Sequence, residues 1–444
     1  MIQFSTSDEI RSWGGVIRAP HKVARPTWQD DLPEALVAAR KDDLPLLATG
    51  LRRSYGDTCL NPDGALLDMT SVDRAIFFDP DRLILRAEAG ISFDALLQVL
   101  VKKGFFLPVT PGTRFVTLGG AIANDVHGKN HHAAGTLGRW VRRIGLLRSD
   151  GSQLELTPQD NTGLFSATIG GLGLTGIITW AEIEVMHIDS AMMDIENVPF
   201  ANLDEFFHVS RESEDVFDYT VSWIDCLAKG KDLGRGLFTR GNHAQKGARL
   251  PSRADPKLNM PMNFPGFVLN KLSIGAFNRL YHWNGNRKAG RGTVPIHPFF
   301  YPLDAIGHWY RMYGRRGMYQ YQSAVPPENE RDATKAMLET ISSAGEGSFL
   351  AVLKTFGSKP SPGILSFPRP GTTLALDFPN RGASTLQLMG RLDAIVREAG
   401  GRLYPAKDGR MTVDMFRSGY PQWQDFAKYV DPNFQSHFWK RIAQ

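Results

Sequence analysis

The sequence gathers its most reactive side chains in a short run, His127-Gly128-Lys129-Asn130-His131-His132. Imidazole and ammonium groups at this spacing suit metal ligation, proton transfer or stabilisation of a developing negative charge. The residues between His127 and His131 are poor helix formers, and the glutamate of a zinc-hydrolase motif is missing. We therefore expect no metal, and keep a metal-dependent hydrolase built on His127, His131 and His132 only as an alternative. The favoured interpretation is that His127 and Lys129 stabilise a reduced ring or a substrate oxyanion.

Three glycine-rich segments surround this run in sequence: Gly50–Asp57, Pro111–Gly128 and Gly170–Gly176. Glycine has no β-carbon, so it lets the backbone approach a large planar, phosphorylated cofactor. In the second segment Thr117 is placed to cap a helix whose free N–H groups would face a phosphate. An ordinary tight turn and close helix packing are the alternatives for the first two segments.

The third segment contains a G-x-G-x-x-G pattern, from Gly171 to Gly176. A dinucleotide-binding Rossmann motif needs a strand before the glycines and a helix after them. Here residues 164–169 favour a helix, and residues 177–185 alternate as a strand does. The order is reversed, so we do not expect a Rossmann domain.

Hydrophobic periodicity supplies the elements that must position these segments. We predict a helix at 32–40, strands at 44–49 and 66–69, a hairpin of 75–79 with 83–90, and a helix at 93–103 capped by Ser92. From about Ala191 to Arg402 aromatics and prolines become frequent, which indicates a second domain. The stretch 242–290 is rich in Gly, Pro, Asn and basic residues, which is typical of a lid or a surface insertion.

Composition limits the class of protein. The chain has 444 residues, 42% hydrophobic and 22% charged, which suits two globular domains. Its start lacks a signal-peptide pattern and no apolar run is long enough to cross a bilayer, so we expect a cytoplasmic protein or one peripheral to the inner membrane. Cys59 and Cys226 match no metal or disulfide pattern. The net charge of +5 indicates a solvated surface or an anionic ligand or lipid headgroup, and no nucleic acid is expected.

Five longer motifs resemble a known family: RSYGD, PGTR, GGAIANDVHGKNHH, LFSATIGGLGLTGII and GGRLYPAKD. They are similar to the decaprenylphosphoryl-β-D-ribose 2-oxidases, flavoenzymes of the vanillyl-alcohol-oxidase superfamily. The resemblance implies an α+β, two-domain fold with a PCMH-type FAD-binding domain at 1–189 and an inserted antiparallel-sheet substrate domain at 190–401. Residues 402–444 would return to the FAD-binding domain.

The resemblance also implies the site residues. The implied cofactor contacts are Arg53, Ser54, Tyr55, Gly56, Gly112, Thr113, Thr117, Gly119, Ala121, Asn124, His127, Gly128, Asn130, His131, Gly176, Ile178 and Tyr404. The substrate-binding candidates are Lys129, Trp223, Gln320, Gln322, Lys354 and Lys407, with Phe356 as a further pocket wall. Gln320 and Gln322, two apart in a strand, share a face and can hydrogen-bond sugar hydroxyls.

The implied activity is FAD-dependent oxidation of the 2-hydroxyl of a polyprenylphosphoryl-β-D-ribose to a ketone, a step in arabinan precursor biosynthesis. Hydride would pass to flavin N5 while Lys407, assisted by Tyr55 or His127, takes the hydroxyl proton. FAD is expected to bind non-covalently, because no histidine lies between Gly50 and Asp57. Expected partners are a quinone or oxygen as electron acceptor and a short-chain reductase that completes the epimerisation, and peripheral membrane contact is part of this expectation.

One segment departs from the family pattern. Where the family carries G-x-N-x-C, this chain has Gly371-Thr372-Thr373-Leu374-Ala375, so the amide and the thiol are both replaced. A thiol has no role in the chemistry of this chain. Two alternatives stay open: an alditol or aldonolactone oxidase on the same fold, and a non-catalytic protein that binds flavin or a prenyl lipid.

Overall fold

The structure, a computed structural model, describes residues 2–247 and 258–443. In chain order its strands are β1 (Ser5–Ser7), β2 (His21–Ala24), β3 (Leu46–Thr49), β4 (Ala65–Asp68), β5 (Ala75–Asp79), β6 (Ile84–Glu88), β7 (Phe105–Phe106), β8 (Val141–Leu147), β9 (Gln153–Leu156), β10 (Ile177–Glu184), β11 (Met186–His187), β12 (Met192–Phe200), β13 (Tyr219–Ile224), β14 (Gly236–His243), β15 (Leu258–Asn259), β16 (Gly290–Pro295), β17 (Ile306–Gly307), β18 (Met318–Val325), β19 (Ala351–Phe356), β20 (Gly371–Pro379) and β21 (Arg402–Leu403). Its α-helices are α1 (Asp31–Lys41), α2 (Phe93–Leu100), α3 (Leu118–Ala123), α4 (His131–Ala134), α5 (Thr162–Thr168), α6 (Leu203–Ser213), α7 (Lys271–Arg287), α8 (Ile296–Phe300), α9 (Glu330–Ala344), α10 (Ala383–Glu398), α11 (Val413–Gly419), α12 (Trp423–Ala427) and α13 (His437–Ile442).

The first sheet has the order β1-β2-β4-β3, with β2, β4 and β3 parallel. Strands β3 and β4 are mostly apolar and largely buried, as expected for parallel strands covered on both faces. Helix α1 covers the sheet with Leu32, Ala35, Leu36 and Ala39, which lie on one face at helical spacing. The helix and strands predicted in this region are confirmed to within two residues.

The second sheet is antiparallel throughout, with the order β5-β6-β10-β8-β9. Ser92 caps α2 by accepting a hydrogen bond from the backbone N–H of Ala95 at 3.1 Å, as predicted. The helix predicted to run to Lys103 is α-helical only to Leu100 and ends in a tighter turn at Gly104, whose φ is +83°. Helix α5 precedes the Gly170–Gly176 segment and β10 follows it, which confirms the order that excludes a Rossmann motif.

The third sheet has eight antiparallel strands in the order β16-β12-β14-β13-β19-β20-β18-β21. Direct pairing aligns Gln322 with Ala375, Ala375 with Val352, and Val352 with Trp223. Directly opposed residues point to the same face of a sheet, so these side chains form one row. The alternate residues, such as Tyr321, Leu353 and Leu376, are buried in the hydrophobic core that α6, α9 and α10 complete on the other face. The mixed helix and sheet organisation confirms the predicted α+β class.

The C-terminal segment contacts both halves of the molecule. Strand β21 pairs with β18, whereas the chain beyond it lies along the first sheet. There Leu46 donates its backbone N–H to Asn433 O at 2.8 Å, and the Asp57 carboxylate lies 2.9 Å from His437 Nδ1. On these contacts we propose the division into 1–189, 190–401 and 402–444.

The stretch 242–290, interpreted from sequence as a lid or a surface insertion, contains helix α7 in its described part. Residues 248–257 of that stretch lie outside the described residues. Asn270 caps α7 through Leu272 and Ser273, and the Ser273 hydroxyl accepts from the Asn270 backbone N–H. This reciprocal cap marks the start of a helix, which the Gly, Pro and Asn content of the stretch did not predict. Across the described ranges, no helix is long and apolar enough to cross a bilayer.

Candidate active site

A cavity of about 1440 Å³ lies between the N-terminal region and one face of the eight-stranded sheet. This exceeds the usual volume of a small-molecule pocket, so it has room for a dinucleotide and a substrate together. Its walls include residues from each of the three glycine-rich segments, which therefore converge as their composition predicted. The opposite wall is the sheet face that carries Trp223, Val352, Ala375 and Gln322.

The first glycine-rich segment lines the cavity with residues 50–55. Gly50 is needed there because a β-carbon would lie 2.1 Å from the Thr117 hydroxyl. The Arg53 guanidinium lies over the Trp13 ring at 4.2 Å, a cation–π contact that holds this positive charge at the cavity wall. Tyr55 donates its backbone N–H to Ala406 O at 2.8 Å, which ties this segment to the C-terminal one.

The second segment also contributes residues to the cavity lining, from Pro111 to Gly128. Thr117 caps α3 as predicted, accepting from the Gly120 N–H at 3.3 Å. Gly112 has open space where a β-carbon would be, and it lines the cavity. The Tyr404 hydroxyl donates to Asn124 O at 2.9 Å. Residues 112, 117, 124 and 404 all line the cavity.

The third segment reaches the cavity through two residues that were not predicted, Leu172 and Gly173. The Leu172 N–H donates to Ala123 O at 2.8 Å, which fixes this loop against α3. The predicted residues Gly176 and Ile178 do not line the cavity. Ile178 is buried in the core, and a β-carbon on Gly176 would lie 2.7 Å from Leu147 O.

Four more predicted cofactor residues lie off the cavity and hold the backbone around it: Gly56, Gly119, Asn130 and His131. A β-carbon on Gly56 would lie 2.0 Å from Asp408 O, and one on Gly119 would lie 2.8 Å from Ala89 Cβ. Asn130 donates its side-chain amide to Pro108 O at 2.8 Å, and the His131 ring packs on Phe356. Gly56 and Gly119 are thus places where two stretches of main chain approach closely.

Four lysines line the cavity: the half-buried Lys129, Lys354 and Lys407, which form a cluster, and the exposed Lys288. Lys129 donates to Phe300 O at 3.2 Å, and Lys354 donates to Gly128 O at 3.1 Å. Burial lowers the pKa of Lys129 to about 8. Burial, together with the like charges of Lys129 and Lys407, lowers the pKa of Lys354 to about 7. The cluster is therefore short of negative charge, and an anion bound among these groups would stabilise their protonated forms.

Lys407 lies against Tyr55 and near a buried carboxylate that sequence reasoning missed, Asp377. The Lys407 ammonium is 4.3 Å from the centre of the Tyr55 ring. Burial lowers the pKa of Lys407 to about 8, and the charge of Asp377 opposes this. Burial likewise raises the pKa of Asp377 to about 7, against a hydrogen bond from Gln320 and the charge of Lys407. The two groups therefore titrate as a pair near neutral pH.

The position of Asp377 follows from strand register. Asp377 lies directly opposite Gln320 in the β18–β20 pair, and Gln320 Nε2 donates to Asp377 Oδ1 at 2.6 Å. Asp377 is two residues beyond Ala375 and therefore shares its face. Alternation along β20 was the signal that could have found it.

Gln322, in the neighbouring row of the same face, contacts His127 of the second glycine-rich segment. Gln322 Nε2 lies 3.1 Å from His127 Nε2 and 3.3 Å from the Thr373 hydroxyl. If the amide donates to His127 Nε2, the imidazole proton is on Nδ1. Burial, reinforced by the charge of Lys354, holds the pKa of His127 well below its ordinary value. His127 is therefore a neutral hydrogen-bonding group at physiological pH.

Sequence comparison identifies the family of this chain. A family model described as an FAD binding domain matches residues 20–157. Decaprenylphosphoryl-beta-D-ribose oxidase of Mycolicibacterium smegmatis is 38% identical over 463 aligned residues, covering 99% of this chain and 98% of that protein. The chain belongs to the decaprenylphosphoryl-beta-D-ribose oxidase family.

Two further relatives differ in name and distance. An uncharacterized protein of Streptomyces coelicolor is 31% identical over 80% of this chain and all of that protein. An L-gulono-1,4-lactone dehydrogenase of Mycobacterium tuberculosis is 22% identical over 95% of this chain and 94% of that protein. Family membership and the FAD-binding domain make this chain an FAD-dependent oxidoreductase of the vanillyl-alcohol-oxidase, PCMH-type fold.

The residues around the cavity fit FAD. Within the described chain, Asn124 Oδ1 and His127 Nδ1 are buried and have no hydrogen-bond partner, although both residues line the cavity. Buried polar atoms are rarely left unpaired, so these two call for a polar ligand. Gly112, on the same cavity, leaves open space where a β-carbon would stand. FAD is the cofactor, and a covalent linkage is not indicated.

Proposed function

We propose that this enzyme oxidises the 2-hydroxyl of a polyprenylphosphoryl-β-D-ribose to a ketone, the first half of an epimerisation to the arabinose form. The observation that carries the proposal is the cluster of half-buried Lys129, Lys354 and Lys407 on the cavity wall that also carries the glutamine pair of β18. A sugar needs hydrogen-bonding partners, which Gln320 and Gln322 supply, whereas its phosphate diester needs cations. The name of the Mycolicibacterium smegmatis relative supports the same substrate class.

In this proposal Lys407 takes the hydroxyl proton. A neutral amine is the competent base, and the lowered pKa of Lys407, about 8, keeps a substantial neutral fraction near physiological pH. Asp377 acts through Lys407 as a positioning residue, since its carboxylate favours the ammonium that forms when the proton arrives. Tyr55 lies under the same ammonium and restricts where it can go.

His127 and Gln322 orient the sugar. Their mutual hydrogen bond leaves the buried His127 Nδ1 as a donor without a partner among the described residues. The neutral imidazole keeps this role across the pH range in which Lys407 titrates. His127 is therefore proposed as a hydrogen-bonding assistant, with Lys407 as the base.

We propose that the cofactor is held by the predicted residues that line the cavity, together with Leu172 and Gly173. The predicted set on the cavity comprises Arg53, Ser54, Tyr55, Gly112, Thr113, Thr117, Ala121, Asn124, His127, Gly128 and Tyr404. When bound, FAD supplies a two-electron acceptor that takes the hydride from the carbinol carbon. The chain's own part is to hold the alcohol, remove its proton and exclude water.

The proposal also includes an electron acceptor and a partner enzyme. Electrons leave the reduced enzyme for a quinone or oxygen, and a short-chain reductase would reduce the keto sugar to its epimer. Peripheral membrane contact follows from a polyprenyl substrate. Ala375, opposite Gln322 on the sheet face, offers no thiol, so the proposed chemistry needs none.

The second candidate is a lactone or alditol oxidase, which the match to the lactone dehydrogenase favours. Lactones and alditols carry no phosphate, so this activity leaves the three lysines without a matching charge. Non-catalytic binding of flavin or a prenyl lipid is the third alternative.

Purified holoenzyme tests these candidates when it is offered farnesylphosphoryl-β-D-ribose, L-gulono-1,4-lactone or xylitol with a dye as electron acceptor. We expect dye reduction and a product lighter by two hydrogens with the phosphoryl ribose alone. Turnover of the lactone or alditol, with none of the phosphoryl ribose, would establish the second candidate. Absence of turnover with all three in FAD-loaded protein would favour binding without catalysis.

A further inference from the structure

Helix α7 carries large apolar side chains on its solvent side. Leu272, Leu280 and Trp283 are 83%, 62% and 54% exposed. Arg279 and Arg287 fall on the same side, because the five residues are spaced 7, 8, 11 and 15 positions from Leu272. We call these five residues the outer face of α7. A helix that packs on a protein normally turns its apolar side inward, so this face is unusual.

Exposed apolar residues are concentrated in this part of the molecule. Of the fifteen large hydrophobic residues exposed in the described ranges, eight lie between Leu258 and Trp283; two of these, Phe277 and Tyr281, line the cavity, and six do not. Scattered single exposures are ordinary, but a contiguous group marks an interaction site. Phe267 lies three residues before the Asn270 cap, and its backbone oxygen accepts a hydrogen bond of 2.9 Å from the Asn270 side-chain amide. The exposed apolar surface therefore continues past the start of α7.

The charge of the same segment has one sign. Residues 258–303 contain Lys271, Arg279, Arg287, Lys288 and Arg291 and no aspartate or glutamate. Arg287 stacks on Trp283 at 4.8 Å, so a cation and an aromatic ring are presented together. Apolar side chains flanked by arginine on one helix face are typical of elements that lie in the headgroup region of an anionic membrane.

The opposite side of α7 belongs to the cavity. Phe277 and Tyr281 line it, and Tyr281 packs against Trp223 of the sheet at 4.7 Å between ring centres. Asn278 anchors this inner side through a buried hydrogen bond of 2.9 Å to Asp225. The helix therefore separates the proposed site from the exposed apolar surface by its own thickness.

We propose that the outer face of α7 docks the enzyme on an anionic lipid bilayer, so that a membrane-held prenyl chain can reach the cavity. The identity of the lipid substrate rests on the proposed function, whereas the docking does not. A second copy of this chain is a poorer occupant, because pairing the face with itself would bring arginines of like charge together.

The test is flotation of full-length, FAD-loaded protein with vesicles. One set contains phosphatidylglycerol and phosphatidylcholine in equal amounts, and the other contains phosphatidylcholine alone. We expect binding to the anionic set, weakened by salt. Arg279→Gln with Arg287→Gln should weaken the partition coefficient roughly thirtyfold, since each basic residue near an anionic surface contributes about fivefold. Leu272→Gln with Leu280→Gln should weaken it by roughly tenfold or more.

Helix α10 provides a matched control, because Leu386, Arg391 and Arg397 are exposed on it. On α10, Leu386→Gln and the double variant Arg391→Gln with Arg397→Gln should leave flotation unaltered. The α7 variants should also keep their FAD content and their turnover of water-dispersed farnesylphosphoryl-β-D-ribose, because the substituted residues do not line the cavity.

Three results would overturn the proposal: no flotation with anionic vesicles, flotation that the α7 and α10 variants share equally, or a dimer in sedimentation that the α7 variants abolish while vesicle binding is missing. Flotation needs no substrate. A failure of the proposed function would therefore show in the turnover assay with vesicle binding intact, and a failure of docking would show in the reverse pattern.

Discussion

Replacing Asp377 by asparagine tests the proposed pairing with Lys407. Asparagine keeps an oxygen that can accept the hydrogen bond from Gln320, now 2.6 Å long to Asp377 Oδ1, but it removes the charge. The charge of Asp377 raises the pKa of Lys407 against the effect of burial, which leaves it at about 8. A nearby opposite charge shifts a pKa by about 1 to 3, so its loss should lower the pKa of Lys407 by about one or more.

The sign of the effect on activity follows from the role of the base. Lys407 must be neutral to accept a proton, so kcat/KM should rise with pH through about 8 in the unmodified enzyme. In Asp377→Asn that limb should move to lower pH by about one unit or more. The plateau should fall as well, because a weaker base accepts the proton less readily.

The assay is kcat/KM for farnesylphosphoryl-β-D-ribose from acid to alkaline pH, normalised to bound FAD. Asp304→Asn is the matched control. Asp304 is also a buried carboxylate on the cavity wall, but it accepts from the Thr113 hydroxyl at 2.7 Å and from the Arg114 N–H at 3.0 Å. Its variant should leave the limb in place. A limb that stays at the same pH in Asp377→Asn, or moves upward, would refute the pairing.

Three further predictions address the base, the phosphate and the backbone. Lys407→Ala should retain FAD and lose substrate-driven reduction by roughly 10²-fold or more, measured in single turnover; unimpaired reduction would remove Lys407 from the mechanism. Lys354→Met should raise KM for the phosphoryl ribose by roughly tenfold or more with a smaller change in kcat, because a charge-assisted hydrogen bond is lost; an unchanged KM would place the phosphate elsewhere. Gly56→Ala should lower the free energy of unfolding by about 1–3 kcal/mol, because its β-carbon would lie 2.0 Å from Asp408 O. Gly390→Ala on α10 has open space around it and should be neutral or stabilising. Equal melting temperatures for the two variants would contradict the close approach at Gly56.

Local signals in the sequence were sufficient for much of the N-terminal region. Apolar runs and the Ser92 and Thr117 caps predict β3, β4, β5, β6, α2 and α3 because these elements are set by residues near them in the chain. The three glycine-rich segments converge on the cavity, as the glycines predicted. Composition concealed α7, because its start depends on an Asn270–Ser273 cap inside a stretch rich in Gly, Pro and Asn.

The pairing of segments that are distant in the chain determines the cavity residues that the sequence did not predict. Asp377 reaches the cavity because β20 aligns it with Gln320, 57 residues away in the chain. Leu172 and Gly173 line the cavity in place of Gly176 and Ile178 because the loop is fixed by a backbone hydrogen bond to Ala123. The assignment of individual residues to cofactor and substrate stays a prediction.

An anaerobic absorption spectrum tests the central claim most directly. Purified enzyme should show the visible flavin band, release FAD on denaturation, and lose the band within one turnover when farnesylphosphoryl-β-D-ribose is added, but keep it with unphosphorylated ribose. A colourless protein, or a band that the phosphoryl ribose leaves unchanged while a lactone bleaches it, would contradict the account.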